Sequence, residues 1–382
     1  LRESSAPKKT LILNPINYCE VHLYMAGTKS TNTKRVFFTS DDTALPLPNL
    51  IQHQRESWKD FIETGLGEIF AELNPIDDYT GQKLALRFGK YAFQEPKNSE
   101  VHAKENNLTF DAPLHAIVEL TNKVTGEVKE QEIYLGDYPW MTDRGTFIIN
   151  GTERVVVSQL IRSAGVFFTA DRAATRNFYG AKLIPGRGAW LEFETASNGA
   201  IYVKIDRRRK LPVTTLFRAL GYNKTSEIKS LFDDIDTGEV KYLDATLDKD
   251  PARGTNEALI EVYRRLRPGD LATVDNARSM IERMFFDFKR FDYSRVGRYK
   301  LNQRLGLEVA NTTENRVFQV SDLIAIVREV IRLNNTQEDA DDIDALSNRR
   351  VKLVGELVAR QFRVGMLRMQ RNAMDRMSIS AY

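Results

Sequence analysis

Few side chains along the 382 residues stand at spacings that could do covalent chemistry. The densest acidic group is Asp341, Asp342 and Asp344, and clustered carboxylates are what two-metal nucleotidyl transfer needs to hold Mg²⁺. The neighbourhood argues against that use, because partner carboxylates are missing and Arg349 and Arg350 follow directly. An acidic helix N-terminus is the simpler reading. There is no GxxxxGK phosphate loop, no HExxH pair and no nucleophile elbow. His22, His53, His102 and His115 read as surface or core residues, since none stands at ligand spacing from a cysteine or carboxylate. What remains is cationic and aromatic. Basic grooves with aromatic platforms hold single-stranded nucleic acid, through counterion release and stacking. Arg207-Arg208-Arg209-Lys210 is the densest basic run. It reads as a solvated face, or as a strand with Arg207 and Arg209 on one side and Arg208 and Lys210 on the other. Trp190, flanked by Arg187 and glycines, is either a core indole or a stacking face. Arg368 and Arg371, three apart, share one side of a helix.

These residues need elements to place them. The stretch Phe147 to Phe168 reads as a hairpin: a strand Phe147–Ile149, a tight turn at Asn150-Gly151, and a β-branched return strand from Glu153 to Val157. It feeds an arginine-bearing loop at Arg162-Ser163. Upstream, Asn49 is placed to cap an amphipathic helix carrying Ile51, Trp58, Phe61 and Ile62 and ending at Gly65. Strands are expected at Lys83 to Phe88, His115 to Leu120 and Glu132 to Leu135, with a turn at Thr125-Gly126. Leu191 and Phe193 alternate with Trp190, Glu192 and Glu194 in a half-buried strand, and Asn198-Gly199 turns it into Ile201-Tyr202-Val203. Beyond Pro212 the pattern becomes helical: Glu257 to Leu266, Asn276 to Phe288, a Ser321-capped segment through Ile331, and a long helix from about Asn348 to Met377.

At roughly 150 residues per domain, the length allows two or three domains. Hydrophobic residues make up 42% and charged residues 28%, an ordinary globular balance. No run of about 18 apolar residues exists, so no helix reads as a membrane span. The single cysteine, Cys19, excludes an internal disulfide and fits a reducing compartment. A net charge of +3 does not by itself announce a polyanion partner.

The string FIINGTERVVVSQLIRSAGVFF closely resembles the NGTERV–SQL–RSPGV signature of the bacterial RNA polymerase β subunit, with Ala164 where that family usually has proline. GRGAWLEFE (Gly186 to Glu194), IDRRRKLP (Ile205 to Pro212), RRLRPGD (Arg264 to Asp270), YSRVGRYKLN (Tyr293 to Asn302), DDIDALSNRR (Asp341 to Arg350) and QFRVGMLRMQR (Gln361 to Arg371) agree in order and spacing. The resemblance implies an α+β fold of two mixed modules. A protrusion spans residues 35–150 and returns as a helix over 348–382, truncated at its C-terminus, and a lobe over 151–347 is inserted between. Residues 1–34 resemble nothing in the family, and Met25 is the expected native start.

The resemblance also implies roles. Trp190 would stack on a non-template DNA base near the downstream duplex. Arg162, Asp206, Asp344, Leu346 and Arg349 would form a pocket for a flipped guanine. Arg368, Arg371 and Arg267 would meet DNA phosphates, and Val157, on physics alone a buried valine, would sit at the rim of the rifamycin pocket. No catalytic and no metal-binding residue is expected here, since the family's Mg²⁺-holding aspartates are on β′. The implied partners are β′, α and σ subunits, DNA and the RNA–DNA hybrid, in the cytoplasm at the nucleoid and away from membranes. A stand-alone nucleic-acid-binding module and an independently catalytic nucleotidyltransferase are the rival readings.

Overall fold

Two hydrophobic cores organise the chain, and the sequence of one encloses that of the other. The structure, a computed structural model, describes residues 48–172 and 176–380; the extension over 1–34, with Met25 and Cys19, lies outside them. The first core joins Trp58, Phe61, Phe70, Phe88 and Phe147 to Val354, Phe362 and Met366 from far along the chain. The second is drawn from residues between Val166 and Leu333. The chain is therefore α+β, with one mixed module inserted in another.

In the first module, α1 (Gln52–Asp60) passes through a π-helical turn, Phe61–Gly65, into α2 (Leu66–Leu73). The stop expected at Gly65 does not occur, because Gly65 keeps helical angles. A helical glycine costs about 1 kcal/mol, whereas continuing buries Leu66, Ile69, Phe70 and Leu73, each gaining about 1.5–3 kcal/mol. Ile51, not Asn49, stands at the cap position, and no side chain caps the helix. Strands β1 (Ile76–Asp77), β2 (Leu84–Phe93), β3 (Asp111–Asn122) and β4 (Val128–Pro139) form an antiparallel sheet in sequence order. The short helix α3 (Glu100–Glu105) lies between β2 and β3.

Next come β5 (Phe147–Ile149) and β6 (Thr152–Arg154), paired around Asn150 and Gly151, both with positive φ. Glycine is required at 151, since a Cβ there would fall 2.8 Å from the Asn107 backbone. The return strand is shorter than its β-branched sequence suggests. It ends at Arg154, leaving Val155 at 58% and Val157 at 78% exposure. A two-stranded edge offers those valines no packed surface, so their β preference goes unsupported. Val157 is thus not a buried valine.

The ribbon β7 (Gln159–Arg162) leads into β8 (Gly165–Arg172), β9 (Asn177–Ile184), β10 (Leu191–Thr195), β11 (Ile201–Ile205) and β12 (Leu211–Pro212). β8 to β12 form an antiparallel meander in which each strand pairs with the next. β10 buries Leu191 and Phe193 and leaves Glu192 and Glu194 half-exposed, as alternation required. Helices α4 (Val213–Ala219), α5 (Thr225–Ser230), α6 (Tyr242–Leu247), α7 (Thr255–Leu266), α8 (Val274–Phe285), α9 (Ser294–Leu305) and α10 (Val320–Thr336) complete the module. Arg298 of α9 and Asp322 of α10, both fully buried, pair at 2.7 Å inside it.

The return to the first module differs from expectation. Residues Arg349–Lys352 are a strand, β13, antiparallel to β7, and the long helix α11 starts only at Val354 and runs to Ser380. Asp341, Asp342 and Asp344 do not open a helix either. Asp341 replaces a strand neighbour at β8: its Oδ2 accepts from the Phe168 N–H at 2.8 Å, and its own N–H donates to the Phe168 carbonyl at 3.0 Å.

Candidate nucleic-acid interface

The ribbon of β7 and β13 sets Arg162 directly opposite Arg349. Residues opposed across an antiparallel pair share a face, and like charges there repel. Asp344 offsets part of that repulsion, its Oδ1 lying 3.1 Å from Arg349 Nη2. Asp342 positions it, since the Asp342 carboxylate accepts from the Asp344 N–H at 2.9 Å while the Asp342 carbonyl accepts from Asn348 Nδ2 at 2.7 Å. Arg349 Nε is buried without a partner. Leu346, on a short 3₁₀ turn beside the ribbon, is 78% exposed. Two guanidinium groups, one carboxylate and an apolar side chain therefore collect around one ribbon end, from segments widely separated in sequence.

Trp190 and Asp206 make a second group. Trp190 lies just before β10, half-buried, and its carbonyl accepts from the Asp206 N–H at 2.8 Å. Asp206 and Arg207 both have positive φ, so the chain turns sharply after β11. The basic run is accordingly a turn and an irregular stretch, and not an alternating strand. The turn puts the Arg207 guanidinium 4.9 Å from the centre of the Trp190 ring. Among the described residues, no hydrogen bond, ion pair or ring contact joins this group to Arg162, Asp344, Leu346 or Arg349.

Asp206 is brought together with Arg267 instead. Both line a cavity of about 610 Å³ between the end of the five-stranded sheet and helices α7 and α8, with Arg208, Arg283 and Arg290. Reading the sequence did not find this gathering, because its arginines come from four separate segments. Arg368 and Arg371 lie exposed on one side of α11, without ion-pair partners among the described residues. Val157 stands beside Val155 and Val156, which help line an apolar cavity of about 330 Å³ with Trp58, Phe61 and Phe362. Among the described residues, no three His, Cys, Asp or Glu side chains gather as metal ligands, and no helix is long and apolar enough to cross a membrane.

Comparison with known proteins gives the family of the chain. The family described as RNA polymerase Rpb2, domain 2, matches residues 162–352, the span from β7 to β13. A DNA-directed RNA polymerase subunit beta of Chloroflexus aggregans is 46% identical over 92% of this chain. The chain belongs to the RNA polymerase β-subunit family. The corresponding subunit of Dehalococcoides mccartyi strain BAV1 is 48% identical over 87% of the chain, and that of Syntrophomonas wolfei 46% identical over 94%. This β-family chain spans 27% to 31% of the length of those curated relatives. Within the family match lie Arg162, at the end of β7, the whole of β13 with Arg349, the Trp190 turn and the arginine cavity; α11 lies beyond it.

Proposed function

We propose that this chain is the lobe and protrusion of a bacterial DNA-dependent RNA polymerase β subunit, forming one wall of the cleft that holds downstream duplex and melted non-template strand. The lobe corresponds to residues 151–347 and the protrusion to 35–150 with 348–382. The two-Mg²⁺ nucleotidyl transfer belongs to aspartates of β′, and this chain binds and positions DNA. Its partners are β′, α and σ subunits and the RNA–DNA hybrid. Val157 sits at the rim of a rifamycin pocket completed by other parts of β.

The observation that supports this reading best is the register of β7 and β13, which opposes Arg162 and Arg349 beside Asp344. An unpaired guanine presents N–H donors on its Watson–Crick edge and acceptors at O6 and N7. A carboxylate suits the donors and a guanidinium the acceptors, so an acid paired with Arg349, with Arg162 opposite on the ribbon, matches guanine better than any other base. Leu346 supplies an apolar surface, and Trp190 stacks on a neighbouring base. Arg267, Arg368 and Arg371 meet phosphates. A matched pair of this kind discriminates by about 1–3 kcal/mol.

The test is crosslinking of the non-template strand in the assembled polymerase, with each of the four bases at the pocketed position. Wild type favours guanine, and Asp344→Ala or Arg162→Ala flattens the preference. Equal crosslinking of all four bases by the wild type, or a guanine preference that survives both changes, overturns the assignment. The chain alone, given labelled NTP and Mg²⁺, is expected to incorporate nothing.

A further inference from the structure

The cavity of about 610 Å³ is lined by four arginines, Arg208, Arg267, Arg283 and Arg290, against one carboxylate, Asp206. Its volume lies within the roughly 300–1,000 Å³ of ligand clefts. Such a gathering of like charge is unfavourable unless an anion completes it. The existing compensation is slight. Arg267 has Asp270 only at 3.8 Å and Arg290 has Asp287 only at 3.9 Å. Arg208 and Arg283, both exposed, have no ion-pair or side-chain hydrogen-bond partner among the described residues.

The position of the cavity indicates which anion. Its wall includes Ala189 and Arg208, each one residue from the stacking pair Trp190 and Arg207. The same two backbone segments, tied by the Asp206 N–H to the Trp190 carbonyl, therefore carry an aromatic platform and a cationic cavity side by side. A single strand has that combination, with bases on one side and a phosphodiester chain on the other. Guanidinium forks match phosphate oxygens in pairs, which suits Arg208 and Arg283 to that chain.

We propose that this cavity is the phosphate subsite of the single DNA strand whose base stacks on Trp190, with Arg208 and Arg283 as its two principal contacts. The assignment rests on the cleft-wall reading above and adds the course of the strand's backbone to it.

The experiment measures affinity of the assembled polymerase for a fluorescein-labelled bubble DNA across a salt titration. Arg208→Ala/Arg283→Ala removes two contacts, so the slope of log affinity on log salt falls by about 1.4. Equivalently, the advantage of the wild type shrinks about sevenfold between roughly 50 and 200 mM salt. The double lysine variant keeps the slope, which separates lost charge from lost folding. Uncharged methylphosphonate linkages beside the stacked base weaken the wild type and have no further effect on the double alanine variant.

An unchanged slope in the double alanine variant overturns the proposal. So does a methylphosphonate effect that is absent from the wild type while the arginine effect persists, which would hand the cavity to a free nucleotide or another anion. The cleft-wall reading has its own control: 2-aminopurine at the stacked position is quenched by wild type and not by Trp190→Ala. Quenching without a slope change rejects the subsite alone, and a slope change without quenching rejects the stacking role of Trp190.

Discussion

Glu153 lies in the most recognisable stretch of the sequence and touches no candidate site. Its carboxylate accepts hydrogen bonds from Lys104, from Thr146 at 2.6 Å and from Arg144 at 3.1 Å. Those donors, Lys104 first, hold its pKa down to about 2, against an ordinary 4.5. A carboxylate depressed in this way stabilises the fold above its unfolded pKa and loses that contribution as pH falls through the folded value. The stability difference between wild type and Glu153→Gln should therefore be nearly full above about pH 5, fall steadily below that, be mostly gone as pH passes the folded value of about 2, and vanish by about pH 1. Denaturant midpoints measured across that range would check it, and a difference independent of pH would exclude the role. Single residues also show the limits of reading a sequence. The acidic group at 341–344 contains a β8 neighbour in Asp341 and a ribbon partner in Asp344, two roles that local spacing does not separate.

At the scale of elements, the hairpins at Asn150-Gly151 and Asn198-Gly199 were legible, because turn geometry is written in two adjacent residues. The ribbon of β7 and β13 was not, since its strands come from opposite sides of the inserted module and neither has a distinctive pattern alone. The same reason hid the start of α11, where Arg349–Lys352 reads as helix until its β7 partner is known. At the other end of that stretch, Gly355 explains how α11 packs against α1. A Cβ there would overlap the backbone carbonyl of Ser57, and the Gly355 N–H donates to Ser57 Oγ at 3.0 Å. Gly355→Ala should cost about 1–3 kcal/mol, the usual range for overpacking, seen as a lower urea midpoint with unchanged slope. An unaltered midpoint would show that the helices separate freely.

For the whole molecule, one carboxylate ties the two modules together. Glu72 of α2 accepts from Arg187 at 2.7 Å and also from Arg363 of α11, and both arginines donate to the Lys289 carbonyl. Burial raises the Glu72 carboxyl above its ordinary range despite the neighbouring cations. Glu72→Ala leaves two half-buried guanidinium groups facing each other, at a cost of about 1.5–3 kcal/mol, as for hydrogen bonds to charged groups. Calorimetry of the full chain should show a lower midpoint and a broadened or divided transition. A single endotherm at the wild-type temperature would mean that the modules couple by other means.

By itself, the sequence determined the family, the strand-to-helix shift near Pro212, the half-buried strand at 191–195 and the tight turns, all of which rest on residues close together in the chain. Tertiary structure alone decided that Asp206 joins Arg267 in a cavity while Arg162 joins Arg349 on a ribbon, and that Val157 faces outward. Those outcomes follow from long-range pairing and from which surfaces find a neighbour to pack against. Neither leaves a periodic trace in a single sequence.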